Sequence, residues 1–231
     1  MAEGGFAGFS RELLGFLAEL EQNNHKAWFD KQRERYERLM LEPAKQFVAA
    51  MQPALATISP GLRGEPRIGG SIMRVARDTR FSKDKAPYKT HLDMMFWEGG
   101  GPSKQSPSFF MRIGARTLGI GAGLHSFTPE QLERYRQAVA EEASGAALRD
   151  AIRAVAARGF ELNGPHYKRV PQGFAANHPN GTLLRHAALY AWRSDPVPEA
   201  LFGSGAVEYC RQLFVALHPI QAWLVEVLAS P

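Results

Sequence analysis

The sequence predicts an α+β fold, a single domain over 1–231 in which helices precede and follow a mainly antiparallel sheet. Three observations carry this expectation. Apolar residues recur at helical spacing through residues 9–57, strand-like alternation and β-branched runs replace that spacing between about 69 and 124, and helical spacing returns at Thr128 and again from Ser204. At 231 residues with 45% hydrophobic content the chain can bury a sizeable core. No repeat, low-complexity tract or linker divides it.

Ser10 is a good N-cap for a first helix, with Phe9 and Leu14 at the positions of a hydrophobic staple and Leu13, Leu14, Leu17 and Leu20 as its stripe. It should stop near Asn23, and Asn23 and Asn24 suit a helix break and cap. A second helix, about His25 to Leu41, offers Trp28, Phe29, Tyr36 and Met40 to the core and turns its charges to water, where i,i+4 pairs support it. A third begins at Pro43, since proline suits the first helical position. It buries Phe47, Val48 and Met51 and is expected to end or kink at Pro53.

After the loop at Ser59 to Pro66, strands are expected at 69–76, 90–97, 107–114 and 116–124. A tight Gly-Ala connection joins the last two as a β-hairpin, and strands this close in sequence pair antiparallel. The glycine run at 98–102 lacks the setting of a phosphate cradle and reads as a hairpin connection. Glycines at 119–123 lie within a strand pattern, where they mark a bulge or a close backbone approach. Thr128 and Gln131 form a capping box with Pro129 at the first helical position, and Leu132, Tyr135 and Val139 make the buried stripe. The next helix starts at Ser144, buries Leu148, Ile152 and Val155, and ends at Gly159. Residues 183–189 fit a short helix or strand and 190–194 a strand. Residues 204–229 fit a helix broken at Pro219, with Trp223, Leu224, Val227 and Leu228 closing the core.

The chemistry concentrates in Arg74 to His91, RVARDTRFSKDKAPYKTH, where six cations (Arg74, Arg77, Arg80, Lys83, Lys85, Lys89) surround Phe81 and Tyr88 with only Asp78 and Asp84 as carboxylates. A strand enters the run, and the turn formers at 78–87 then carry its basic groups on a loop. Arginine is a planar fork suited to carboxylate or phosphate and lysine is a compact point charge, so such a loop can hold an anion. The alternative is an internal salt-bridge network in which Arg77 and Arg80 are closed by Asp78, Asp84 and Asp93 with no ligand. A second candidate stretch is 162–181, rich in proline, glycine and asparagine and interleaved with His166, Tyr167, Lys168, Arg169 and His178. Loops of this length tend to be functional, and this one is expected to form a lid over the first stretch.

The pattern RxxRDxRFxxxKxxY, here Arg74, Arg77, Asp78, Arg80, Phe81, Lys85 and Tyr88, resembles the signature of a bacterial family of conserved proteins of unknown function. The resemblance extends to NNHKAWF at 23–29, GAGLH at 121–125 and KRVPQGFAANHP at 168–179. It implies membership and brings no activity or catalytic residues with it.

The formal charge of +5 permits acidic partners without demanding nucleic acid. A single cysteine, Cys210, excludes an internal disulfide. With no leader-like N-terminus and no long apolar run, the chain is expected to be cytoplasmic, with no membrane partner. Seven histidines form no HxH, HxxxH or HExxH pair, so neither a metal nor another cofactor is expected, and no GxSxG is present. His91 or His125 could serve general acid/base chemistry if either lies near Tyr88 and Asp93. The expected site is therefore Arg74, Arg77, Asp78, Arg80, Lys85 and Tyr88, joined by Lys168 and Arg169, binding a small phosphate- or carboxylate-bearing ligand. The rival readings are a nucleic-acid groove in which Phe81 or Tyr88 stacks on bases, and a structural or interaction domain.

Overall fold

The computed structural model describes residues 5–229. It has the expected α+β class: helices come before and after one six-stranded antiparallel sheet of order β1-β2-β3-β4-β6-β5. The strands are β1 (Leu62–Arg63), β2 (His91–Glu98), β3 (Ser108–Gly114), β4 (Thr117–Leu124), β5 (Glu161–Leu162) and β6 (Leu189–Pro196). The helices are α1 (Glu12–Gln22), α2 (Lys26–Lys31), α3 (Arg33–Tyr36), α4 (Glu42–Ala56), α5 (Pro129–Ala140), α6 (Glu142–Ala156), α7 (Gly181–Leu184) and α8 (Ala206–Ala229). The chain divides into two compact units. The first comprises Met1–Phe96, Phe110–Ile120 and Ser194–Leu213, and the second Trp97–Phe109, Gly121–Arg193 and Phe214–Pro231. Among the described residues, no helix is long and apolar enough to cross a membrane.

In the first unit, α1 presents Leu13, Phe16, Leu17 and Leu20 to the core, and Ser10 Oγ accepts from Glu12 N at 3.1 Å. The second expected helix is interrupted at Gln32, and it does not stop before the third. A π-helical turn, Glu37–Leu41, carries the chain into α4, whose second residue is Pro43. Phe6, Phe9, Phe47 and Phe96 form one aromatic cluster with centroids 4.9–6.4 Å apart. The expected strand 69–76 is not a regular strand: it makes isolated bridges, Ile72 with Met94 and Ala76 with Tyr88.

In the second unit, the capping box of Thr128 and Gln131 starts α5 as expected. The next helix starts two residues before Ser144, because the Glu141 side chain accepts from the backbone of Ala143 and Ser144. Tyr135 stacks on Phe127 at 4.8 Å and its hydroxyl donates to Leu183 O at 2.9 Å. The close approach expected of the β4 glycines occurs at Gly123, whose φ is +130° and where a Cβ would lie 2.2 Å from Leu189 O. Gly159, at φ +79°, ends the turn after α6 as expected.

Neither internal proline stops its helix: α4 runs past Pro53 to Ala56 and α8 past Pro219 to Ala229. Proline costs a helix interior about 3 kcal/mol, whereas each fully buried Leu, Ile or Phe contributes about 1.5–3 kcal/mol. Met51 and Leu55 flank Pro53, and Leu217, Ile220 and Leu224 flank Pro219, all fully buried. Packing outweighs the local penalty in both helices.

Candidate functional site

The expected strand before the basic run is replaced by an irregular ladder. Met95 N donates to Ser71 O (2.9 Å) and Met73 N to Asp93 O (3.0 Å); then Lys89 N donates to Val75 O and Arg77 N to Pro87 O, both at 2.8 Å. Residues 71, 73, 75 and 77 thus meet 95, 93, 89 and 87, and the extra residues bulge around Thr90 and His91. Asn24 holds the end of this ladder as a neighbouring strand would: its Nδ2 donates to Tyr88 O at 2.8 Å and its Oδ1 accepts from Tyr88 N at 3.0 Å. The Tyr88 ring stacks on Phe29, with centroids 4.0 Å apart.

Asp93 is the electrostatic centre. Its side chain is 15% exposed and accepts from Arg112 Nε at 2.7 Å, Lys89 Nζ at 3.1 Å and His91 Nε2 at 3.2 Å. Burial pushes the carboxyl up, but hydrogen bonds from His91 and Arg112 and their charge outweigh it, holding the group well below the usual carboxylate range. The gathering follows from strand geometry. His91 and Asp93 are two residues apart on β2, whose other face carries the buried Leu92, Met94 and Phe96. Arg112 comes from the neighbouring β3, between the buried Met111 and Ile113.

Beside this centre lies an open concavity of about 630 Å³, lined by Glu21, Asn24, Arg77, Asp84, Ala86, Tyr88, Lys89, Thr90, His91 and Arg112. Arg77 NH1 donates to Asp84 Oδ2 at 2.6 Å and to Ala86 O at 3.0 Å. Lys89 and Arg112 bring two cationic side chains to the single carboxylate of Asp93, and His91 adds an imidazole. With Nε2 donating to Asp93, a neutral His91 keeps Nδ1 as an acceptor, an arrangement able to exchange a proton with a bound molecule.

Of the expected site residues, Arg77 and Tyr88 line the concavity. Arg80 and Asp78 lie outside its lining and form an exposed bidentate pair, Nε to Oδ1 at 3.0 Å and NH2 to Oδ2 at 2.7 Å. Lys85 Nζ donates to Thr79 O at 2.9 Å, closing the loop on itself. Arg74 is exposed, and its charge acts on Asp78. Phe81 is 95% exposed, with the Arg80 guanidinium 5.7 Å from its ring centroid. Lys168 and Arg169 are exposed in the second unit, on the loop after β5. His125 packs on Tyr190 in that unit, at 4.4 Å between rings. Of the two histidines considered for proton chemistry, His91 is therefore the one beside Asp93.

Asn24 and Arg112 were not among the expected site residues, and Asp93, expected as a network partner of Arg77 and Arg80 or a neighbour of His91, pairs instead with Lys89, His91 and Arg112. A signal for two of them was present: a lone Asp in THLDMMFW and a lone Arg in SFFMRIG interrupt apolar strands, and period-two alternation sets each on the face opposite the core. Asn24 had no such signal, because its partner is 64 residues away. Among the described residues, no three His, Cys, Asp or Glu side chains gather to hold a metal ion. Cys210 is fully buried, which pushes its thiol up to about 12 and leaves it inert.

No curated protein sequence matches the chain. A family model described as Conserved hypothetical protein (DUF2461) matches residues 12–223, a span that contains both candidate stretches, and the chain belongs to this family.

Proposed function

We propose that the concavity beside Tyr88 binds a small ligand carrying a phosphate or carboxylate group. The charge surplus at Asp93 carries this reading: Lys89 and Arg112 together outnumber the one carboxylate they share, before His91 is counted. Lysine has three donors and arginine five, more than Asp93 can accept, so donors remain for an incoming anion. A volume of about 630 Å³ is within the range of small-molecule sites. Arg77 adds a third cation, since its pairing with the exposed Asp84 is of the kind that water and a competing anion readily displace. His91 would accept or donate the proton of a bound acid. Action in the cytoplasm, expected from the sequence, belongs to the same reading.

The test is a thermal-shift and calorimetric panel of inorganic phosphate, pyrophosphate, phosphomonoesters and di- and tricarboxylates. A ligand of the right class raises the midpoint with concentration as mass action requires. Lys89→Gln and Arg112→Gln abolish that rise when each is measured against its own unliganded midpoint. A panel without any concentration-dependent rise, or a rise unchanged in both variants, overturns the proposal.

A further inference from the structure

Between Glu161 and Asp195 the chain contains no Asp or Glu, yet its cations include Lys168, Arg169 and Arg185. The fold gathers these with a fourth cation and an aromatic ring. His166 N and Tyr167 N both donate to Arg185 O at 2.9 Å, Arg185 NH1 donates to Lys168 O at 3.4 Å, and the Arg136 guanidinium lies 5.1 Å from the Tyr167 ring centroid. Tyr167 remains 40% exposed, and Lys168 and Arg169 are exposed. Arg136 Nε is buried without a hydrogen-bond partner. Among the described residues, none of Arg136, Lys168, Arg169 and Arg185 forms an ion pair with a carboxylate.

The loop that carries them is held at both ends. Asn163 donates to Ala188 O at 3.1 Å and accepts from Tyr190 N at 2.8 Å. The buried Asn180 donates to Val139 O at 2.8 Å, beside Gly145, where a Cβ would lie 2.4 Å from the Asn180 amide nitrogen. A surface ordered in advance spares a ligand the entropy of ordering it.

We infer that Arg136, Tyr167, Lys168, Arg169 and Arg185 form a contact surface for single-stranded nucleic acid, independent of the small-anion concavity. Uncompensated cations beside an exposed ring match the phosphodiester charges and base faces of a single strand, and stacking needs no particular base. A bilayer is the poorer fit, because Tyr167 is the segment's one large exposed hydrophobic residue among those described, leaving no further apolar side chain to insert. Three or four neutralised phosphates give a slope of log K against log salt of about −2 to −3.

The experiment is fluorescence anisotropy of labelled twelve-nucleotide oligo(rU) and oligo(dT) with the full chain at several salt concentrations, with heparin and phosphatidylserine vesicles as competitors. The expected result is that slope, together with at least tenfold weaker binding and a shallower slope in Lys168→Glu/Arg169→Glu. Tyr167→Ala weakens binding about tenfold at unchanged slope, in line with a lost stacked base. Lys83→Glu/Lys85→Glu, on the motif loop, keeps most of the affinity. Preference for either strand chemistry supports the inference. It is overturned if no binding occurs at low salt or if only the motif-loop variant loses it. It also fails if heparin or vesicles compete on charge alone while Tyr167→Ala has no effect. Failure here leaves the phosphate panel at the concavity untouched, since the two experiments read different residues and ligands.

Discussion

Residues 74–91 and 162–185 are both basic, loop-rich and aromatic, yet they treat charge differently. In the first, Arg77 is held by Asp84, Arg80 by Asp78 and Lys89 by Asp93. In the second, Lys168, Arg169 and Arg185 have no carboxylate within their own stretch of sequence, and none pairs with one among the described residues. The denser run is therefore the more compensated one. A count of cations measures how much charge was placed in a segment, whereas the carboxylates that fold beside them decide how much remains for a ligand. At Asp93 two cations and His91 share one carboxylate, and beside them the concavity opens, with Glu21 and Asp84 also in its lining.

The sharpest way to break this contrast is to remove the buried acid. Asp93→Asn takes the shared carboxylate from the half-buried Lys89 and His91 and the more exposed Arg112, and should destabilise the chain by about 3 kcal/mol, as loss of one partner from a largely buried ion pair does. Urea denaturation reads it directly. A loss below about 1 kcal/mol would mean that the three cations reach other partners or water, and that the two loops differ less than their ion pairs indicate.

The same carboxylate gives the contrast a pH dependence. Its folded pKa lies below its unfolded value, so its stabilisation is fully present above the ordinary aspartate pKa of about 4 and is lost as pH falls from there through the depressed folded value. Stability of the native chain should therefore drop more steeply below about pH 4 than that of Asp93→Asn. Parallel pH profiles of the two proteins would count against Asp93 as the centre.

Asn24→Ala should cost about 1–2 kcal/mol, since it strands two backbone groups of the half-buried Tyr88. It should also raise amide exchange at 86–90 while leaving 163–185 unchanged, which separates a local clamp from a general loss of stability. At the small end, Lys168→Ala and Arg169→Ala should each change stability by no more than about 0.5 kcal/mol, as exposed positions without structural partners do. Arg80→Ala should leave the thermal midpoint nearly unchanged, because its pair with Asp78 is solvent-exposed. A marked loss in either lysine-arginine variant would show that the second loop uses its cations structurally after all.

Much of the fold was legible because its signals are local. Helix α5 begins at Thr128 because threonine, proline and glutamine stand at fixed offsets, and β2, β3 and β4 lie within about a residue of where alternation placed them. What misled were penalties read without their compensation: Pro53 and Pro219 break helices in isolation, but buried neighbours decide the outcome. The expected strand at 69–76 likewise has suitable residues, yet the bulge at Thr90 and His91 on the facing segment keeps its pairing irregular. For the site, the sequence marked the basic run, and two of its expected residues, Arg77 and Tyr88, line the concavity.

The sequence by itself determined the α+β class, the capping box at Thr128, most strands and the place where positive charge is concentrated, since these depend on residues within a few positions of one another. Only the tertiary structure decided which charges are spent on one another and which remain. Asn24 reaches Tyr88 across 64 positions and Arg112 reaches Asp93 across 19. Such pairings depend on how β2, β3 and the helices pack, and the energy of a charge depends on its burial and partners, neither of which is a property of its neighbours in the chain.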